Sequence, residues 1–567
     1  MHNLLNYVKN HTRRTAVVLI VSGVMIAQTA GMSTIAGAAQ SRASSHVAPH
    51  GVVTVTTGAA GTFADDFNPF SPNAEDPSHG MVYEPLFFFD TANAGKVSPW
   101  LGTSYAWSNH GKALTFELRH GVKWTDGKPF TSADVVFTFN LIKRNKALNQ
   151  YGLPLGKIVA EGPYKVVVNF TKSSYSDLNY AAGLTYILPQ HIWKSIKNPQ
   201  TFQDTHPVGT GAYQVTSVSG DVMTLTANPH YYMPGFPKVK TYRFESFNGN
   251  TSSDLAIESG QLDWAGSYIP NIGTNYLSKN PKFSISDIPL SIAYLVPNMK
   301  SGITANYKIR EAISYAINRA FVSKTVYNGY ANQTNPESVL LPNFKEILNP
   351  KLANSKFTYS IQQAKNILKS AGYKMGSNGY FEKNGQTLTV TCKVISGYTD
   401  YVQDLDIIAS EEKSAGIHFV VQGISYAEFT SEQDTGNFQL LIDNFGYTPS
   451  PYVFFNNLLN GNDIPPIGQI DTAGDFGRYN NPTVDKLLSK IQAAPSVAQQ
   501  KPYFYQIEST FAKTLPLIPI FDQQDEQEFN GNAVTGEPTL SNPYAASAVY
   551  IAPDLGWVAM HLVPVGK

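Results

Sequence analysis

Residues 107–137 read WSNHGKALTFELRHGVKWTDGKPFTSADVVF and combine two local signals in one short stretch. Apolar residues alternate with polar ones over 114–118, which is typical of a β-strand with one buried face. Thr131 is followed three residues later by Asp134, and this capping-box pattern, with Asp in place of the usual Glu, predicts a helix towards Lys143. The segment therefore predicts a strand, a turn and a capped helix in close succession.

The same two signals recur outside this segment. Alternating apolar residues predict further strands over 52–57, 166–170 and 223–227. Apolar stripes at helical spacing predict three helices. The first has a stripe over 307–321, with Asn306 as N-cap and Gly329 as stop; the others lie over 361–371, capped by Ser360, and over 482–491, opened by Asn481. Strands that alternate with helices predict a mixed α/β architecture.

Length and composition limit the class of protein. A chain of 567 residues is too long for one ordinary core, so two or more lobes are expected. Hydrophobic residues make up 42% of the chain, which excludes a disordered protein. Lys+Arg and Asp+Glu are both 42, so no excess charge indicates a nucleic-acid or anionic-membrane partner. Charged residues total only 15%, against about a quarter in an average protein, and we interpret this as adaptation to a cell exterior, including an acidic one.

The N-terminus has the form of a secretory signal peptide over residues 1–38. Basic residues precede an apolar run over 16–30, and Ala36-Gly37-Ala38 fits the cleavage pattern. An uncleaved anchor is the alternative, although the run is short for a membrane span. Residues 39–50 are predicted to be a disordered lead-in. The single cysteine, Cys392, is far from the cleavage region, so we expect an exported protein without a lipid anchor, and we expect this thiol to be a buried bystander.

The segment 107–137 resembles the signature segment of the family 5 extracellular solute-binding proteins, the oligopeptide- and dipeptide-binding components of ABC importers. Further stretches resemble the same family in the same order along the chain. They are Phe67-Asn68-Pro69-Phe70, Tyr83-Glu84-Pro85-Leu86, Pro207-Val208-Gly209-Thr210-Gly211-Ala212-Tyr213, Gly260-Gln261-Leu262-Asp263, the stretch 309–319 and the stretch 516–520. The resemblance covers roughly residues 50 to 560.

The resemblance implies a two-lobed α/β clamshell of the type II periplasmic-binding-protein class, in the large cluster with an extra subdomain. Lobe I would span 51–290 with the subdomain at about 91–205, lobe II would span 291–521, and 522–567 would return to lobe I. A peptide or similar oligomeric solute would bind between the lobes of a monomer, and closure would present it to two membrane permease subunits served by cytosolic ATPases. Neither a cofactor nor a metal is implied.

Peptide-binding members of the family hold the peptide's α-ammonium with a carboxylate just before a Pro-Asp-Pro-like turn. The comparable turn here is 449–451, which places Tyr447 at the expected position and leaves Asp443 four residues upstream. Either Asp443 takes this role, or the ligand lacks a free α-amine, as an oligosaccharide or a blocked peptide does. Arg478 and Lys393 are candidates to neutralise a ligand carboxylate. The expected ligand-binding residues are Asn68, Phe70, Tyr83, Trp264, Tyr294, Asn298, Tyr426, Asp443, Phe445 and Tyr447.

Catalysis is not expected, because the sequence contains neither G-x-S-x-G nor H-E-x-x-H and has no phosphate-binding G-x-x-x-x-G-K-[ST]. The acidic pairs Asp65-Asp66 and Glu411-Glu412 keep a secreted glycoside hydrolase as the enzyme alternative. A self-assembling surface-layer protein is a third class, and it would show no closure on a ligand.

Overall fold

The computed structural model describes residues 51–56, 61–462, 464–471 and 474–565, which fall in one compact unit. The predicted signal peptide and lead-in lie outside these residues. No helix in the described ranges is both long enough and apolar enough to cross a membrane.

The strands are β1 Val52–Val55, β2 Phe87–Asp90, β3 Lys96–Pro99, β4 Gly102–Ser108, β5 Ala113–Leu118, β6 Leu155–Ala160, β7 Lys165–Phe170, β8 Tyr213–Ser219, β9 Val222–Ala227, β10 Thr241–Glu245, β11 Trp264–Ala265, β12 Phe283–Pro297, β13 Lys374–Met375, β14 Phe381–Lys383, β15 Gln386–Thr387, β16 Thr389–Ile395, β17 His418–Ile424, β18 Leu440–Gly446, β19 Ile518–Asn530, β20 Val534–Thr535 and β21 Val563–Pro564.

The α-helices are α1 Ser132–Arg144, α2 Leu178–Ala182, α3 Gln190–Trp193, α4 Asn250–Glu258, α5 Ile272–Asn275, α6 Tyr307–Ala316, α7 Arg319–Val326, α8 Ile361–Ser370, α9 Thr399–Ala415, α10 Tyr426–Thr435, α11 Pro451–Leu459, α12 Pro482–Ala493, α13 Val497–Thr514 and α14 Asp554–His561. Short 3-10 turns lie between them, including Tyr175–Asp177 directly before α2.

A ten-stranded sheet in the order β17-β16-β18-β12-β19-β11-β1-β10-β9-β8 runs through both halves of the fold. Strands β12 and β19 are its longest, and they pair antiparallel over nearly their whole lengths. Each of these strands has a second neighbour on its other edge. Strand β12 pairs with β18 only from Ser291 onwards, and β19 pairs with β11 at Glu528 and Phe529. The two long strands therefore connect a half built from residues before 266 with a half built from residues 389–446. The predicted crossings near 291 and 521 fall inside these strands, and the exact lobe boundaries stay predictions.

A second, four-stranded sheet in the order β4-β5-β7-β6 includes the predicted strand over 114–118 as β5. Helix α1 covers this sheet, and its N-terminus has the predicted capping box. The Asp134 carboxylate accepts the Thr131 backbone N–H at 2.9 Å, and the Thr131 hydroxyl accepts the Ala133 N–H at 3.3 Å. Both interactions satisfy N–H groups that the first turn of a helix leaves free. The sheet lies within the predicted subdomain at about 91–205.

The predicted helix over 307–321 is wrong in one respect, because two helices occupy that range. Ile317 has an extended backbone with ψ 117°, and α6 ends before it. The Asn318 side chain then accepts the Phe321 N–H and begins α7. Phe321, which the continuous stripe would bury, is 49% exposed. The break happens because Asn318 offers a local hydrogen bond that competes with continuation of the helix.

The other predicted elements agree with the structure. Ser360 caps α8 by accepting the Gln363 N–H at 3.1 Å, and Asn481 caps α12 by accepting the Thr483 N–H at 3.0 Å. Cys392 is fully buried on β16, and burial raises the pKa of its thiol well above the ordinary value. The thiol therefore behaves as a small apolar core residue, as predicted.

Candidate ligand-binding site

A cavity of about 370 Å³ lies between two walls of the described structure, and its volume is within the usual range of about 300–1,000 Å³ for small-molecule sites. It is called the larger cavity below. Its residues come from two separated parts of the chain. One wall is built mainly by residues 69–79, 142–153 and 184–186, and the facing wall by Thr430, Asp434 and Phe476. The first set falls in predicted lobe I and the second in predicted lobe II, so the cavity lies where a clamshell holds its ligand.

A second cavity of about 210 Å³ adjoins the first. Tyr151, Leu184 and Ala552 line both, so the two spaces share a wall. The second cavity adds Asn179 from α2 on one side, and it adds Tyr447 with its neighbours up to Asn457 on the other. Together the two cavities form one continuous cleft.

Aromatic rings form much of the cleft wall. Tyr151, which lines both cavities, stacks on Tyr180 with the ring centroids 4.7 Å apart. The rings of His79 and Tyr186 lie 4.6 Å apart. Phe476, from the opposite wall, packs on Phe445 at 6.0 Å. Rings held in this way offer rigid apolar surfaces at little entropic cost on binding.

Tyr447 belongs to a network of hydroxyl and amide groups at the rim of the second cavity. Its hydroxyl accepts a hydrogen bond from the Asn444 amide at 3.0 Å and lies 3.3 Å from the hydroxyl of Tyr550. The side-chain oxygen of Gln523 accepts two hydrogen bonds of 2.7 Å, one from the Asn444 amide and one from the Tyr401 hydroxyl. Burial raises the pKa of Tyr447, so this group is a neutral hydroxyl at physiological pH.

Comparison with known proteins assigns the chain. The family "Bacterial extracellular solute-binding proteins, family 5 Middle" matches residues 96–465, about two thirds of the sequence. The chain belongs to the family 5 bacterial extracellular solute-binding proteins. The resemblance found in the sequence is therefore confirmed, and with it the expectation of a family whose members bind solutes.

Two curated relatives illustrate the range of the family. The oligopeptide-binding protein AppA of Bacillus subtilis is 25% identical over 453 residues, which is 78% of this chain and 80% of that protein. The nickel-binding periplasmic protein of Escherichia coli K12 is 23% identical over 501 residues, which is 85% of this chain and 91% of that protein.

Solved structures confirm the two-lobed fold. A mannohexaose-bound periplasmic oligopeptide-binding protein of Thermotoga maritima superposes with a TM-score of 0.85 at 24% identity and covers 92% of this chain and 100% of that one. AppA with a nonapeptide superposes with a TM-score of 0.78 at 20% identity and covers 91% of this chain and 99% of that one. Identities this low carry the fold alone and leave the ligand to be argued from the site.

Five of the predicted ligand-binding residues of this family 5 protein have side chains that are buried and bonded inside the protein, away from both cavities. They are Asn68, Tyr83, Trp264, Tyr294 and Asn298, each 0–1% exposed. The Asn68 amide donates to the carbonyls of residues 199 and 202 at 2.8 Å. The hydroxyls of Tyr83 and Tyr294 lie 2.5 Å from Asp204 and Ser338. Trp264 donates to a carbonyl at 3.1 Å, and Asn298 to another at 2.8 Å. In this structure their polar groups are bonded within the protein, and a contact with the ligand stays a prediction for them.

The other five predicted residues lie at or near the cleft. Phe70 lines the larger cavity, and Tyr447 lines the smaller one. Phe445 is half-buried behind Phe476. Tyr426 is 44% exposed at the first turn of α10, whose later residues 430 and 434 line the larger cavity. Contact between these residues and a ligand stays a prediction.

Asp443, the candidate ammonium anchor, is already engaged. Its carboxylate accepts hydrogen bonds from the Gln433 amide and from the backbone N–H of Asn444 at 2.8 Å. It does not line either cavity, and burial raises its pKa to about 6. The carboxyl group that does line the larger cavity is Asp434, whose pKa is also raised to about 6 by burial.

The sequence analysis missed Tyr151, Asn179, Asp434 and Phe476. None lies in a motif, and each enters the cleft through a turn or a short helix rather than through a periodic pattern. Tyr151 was detectable only as an aromatic residue beside the turn pattern Gly152-Leu153-Pro154. Within the described ranges, no group of three or more His, Cys, Asp or Glu side chains is placed to hold a metal ion.

Proposed function

We propose that this protein captures a peptide or a similar oligomeric solute outside the cytoplasmic membrane and delivers it to the permease of an ABC importer. The main support for this proposal is the cleft formed by the two adjoining cavities. One wall comes from residues before 187 and after 551, and the other from residues 430–476. A ligand that touches both walls stabilises the closed state only, and this differential affinity shifts the population towards closure.

The strands β12 and β19 connect the two halves of the fold and are the candidate hinge for closure. Their pairing slips in register between Pro289 and Ser291 and again between Ala293 and Tyr294. Such irregularities locally interrupt the ladder and let strands bend. The position of the first slip supports a hinge at the predicted crossing near residue 291, with β19 as the second connection.

The acidic pairs Asp65-Asp66 and Glu411-Glu412, which suggested a glycoside hydrolase as the alternative function, line neither cavity. Glu411 accepts the backbone N–H of Asn318 at 2.8 Å, and Glu412 is fully buried. Asp66 accepts backbone N–H groups of residues 68 and 204. A glycosidase needs its two carboxyl groups on either side of a bound sugar, so this arrangement favours binding without turnover.

Small-angle scattering of the purified protein, with and without the solute that co-purifies in the cleft, tests this function. Denaturation should release an oligomeric solute that mass spectrometry identifies. When that solute is added back to protein stripped of it, we expect the radius of gyration to decrease. Hydrolysis of the solute, or identical scattering in both states with saturating solute, would contradict the proposal.

A further inference from the structure

The cleft contains almost no fixed charge. Among the described residues that line the two cavities, Asp434 is the one carboxyl group, and there is no lysine or arginine. The larger cavity also has a histidine in its wall, His79. Burial lowers the pKa of His79, so its ring is neutral. A zwitterionic peptide would bring a carboxylate into this space and find no cation there, and an unpaired charge that leaves water is strongly disfavoured.

The cations expected to meet a ligand carboxylate are committed to the protein itself. Lys393 is paired with the carboxylate of Glu432. Arg478 is fully buried, donates to the carbonyls of residues 434 and 476, and lies 3.8 Å from the carboxylate of Asp471. Releasing either cation towards a ligand would break these contacts. Asp443 is likewise bonded to Gln433, which removes the expected partner of an α-ammonium.

A buried polar group in the wall of the smaller cavity is without a hydrogen-bond partner among the described residues. Asn179 is 5% exposed and lines the smaller cavity, and its side-chain oxygen is buried with no hydrogen bond from the protein. A buried acceptor left unpaired costs free energy, and a ligand that reaches this wall can supply the missing donor. Asn457 and Thr448, on the opposite wall of the same cavity, add further neutral polar side chains.

On the basis of the proposed function, we propose that the ligand is an uncharged, hydroxyl-rich oligomer, a neutral oligosaccharide, and that Asn179 accepts a hydrogen bond from one of its hydroxyl groups. Sugar hydroxyls donate and accept without bringing a charge that must be neutralised. The aromatic rings of Tyr151, Tyr186 and Phe476 offer flat surfaces for the apolar faces of sugar rings.

Titration calorimetry on the full chain, stripped of bound solute, tests the ligand class. The probes are linear neutral oligosaccharides of about four to seven hexoses in α and β linkages, including mannohexaose, a mixture of free hexapeptides, and the same peptides with both ends blocked. We expect at least one oligosaccharide to bind at least 100-fold more tightly than any free peptide. Blocked peptides are expected to bind more tightly than free ones, because blocking removes both charges.

Asn179→Ala tests the proposed contact, with Asn198→Ala at an exposed position as the matched control. We expect Asn179→Ala to weaken oligosaccharide binding about tenfold while the Tm of the unliganded protein stays equal or rises, since the unpaired oxygen is removed. The control should change neither quantity. A loss of Tm without a loss of affinity would mean that Asn179 has a structural role, and it would overturn the assignment of this residue.

Free peptides that bind as tightly as blocked peptides and oligosaccharides would overturn the ligand class and leave solute capture standing. Failure of every probe, together with no solute released from the native protein, would overturn solute capture itself. The two failures are therefore distinguishable.

Discussion

A contact at the start of α2, two residues before the cleft residue Asn179, joins the two predicted lobes and should set the balance between open and closed forms. Gln492, on α12, donates its side-chain amide to both carboxylate oxygens of Asp177 at 2.9 Å. Asp177 is 1% exposed and Gln492 is 7% exposed. If residues 291–521 move as one lobe, opening separates this pair and hydrates the carboxylate.

We predict that Gln492→Ala weakens ligand binding although Gln492 lines neither cavity. Hydrogen bonds to an ionised group contribute about 1.5–3 kcal/mol, and Asp177, with a pKa of about 6, is mostly ionised at pH 7. The variant loses this stabilisation in the closed form only. Taking about 2 kcal/mol, the apparent Kd should rise roughly 30-fold, since 1.4 kcal/mol corresponds to a factor of ten.

Titration calorimetry with the co-purified solute measures the change, and small-angle scattering measures the shift towards the open form. Gln506→Ala is the matched control, because Gln506 is exposed and its amide donates to a carbonyl within α13. An affinity within twofold of wild type, in a Gln492→Ala variant that keeps its native circular dichroism, would refute the reasoning. Asp177 and Gln492 would then belong to one rigid body.

Three further predictions concern stability and reactivity. In Gly211→Ala the new Cβ would lie 2.0 Å from the Met81 carbonyl oxygen, so we expect a large drop in Tm by calorimetry, whereas Gly273→Ala, where nothing lies within 4 Å, should change it little. Burial raises the pKa of Glu84 from 4.5 to about 8. As the pH rises, the folded form therefore keeps the proton of Glu84 after the unfolded form has lost it. The contribution of this proton to the stability of the folded form is complete below about pH 4.5 and is lost as the pH rises through 8. Tm should accordingly be higher at pH 4.5 than at pH 8, Glu84→Gln should reduce the difference, and an equal or larger difference in that variant would count against the assignment. Cys392 should react with a thiol reagent only at the rate of unfolding, and fast labelling of native protein would contradict its burial.

Local signals were read correctly where they are satisfied locally. Thr131 with Asp134 and Ser360 with Gln363 form caps whose partners are at most three residues apart, so no distant segment is needed to form them. The helix over 307–321 was predicted too long because a stripe of apolar residues does not show that Asn318 captures a backbone N–H and restarts the helix.

The candidate site was predicted less well, since family position does not give side-chain orientation. Phe70 and Tyr447 line the cleft, whereas Tyr294 and Trp264, chosen on the same grounds, point into the core. Trp264 is fixed by the carbonyl of Ser547, a residue almost three hundred positions away. No pattern within one segment encodes such a partner.

The sequence by itself determined the α/β class, the caps and the family, because periodicity, capping and a thirty-residue signature depend on neighbours in the chain. Only the tertiary structure decided which groups face the cleft, since Asn179 and Tyr447 line the same cavity from segments more than two hundred and sixty residues apart. It also decided which charges are free to act. Lys393, Arg478 and Asp443 all look available in the sequence, and all are consumed by partners that the fold alone brings near.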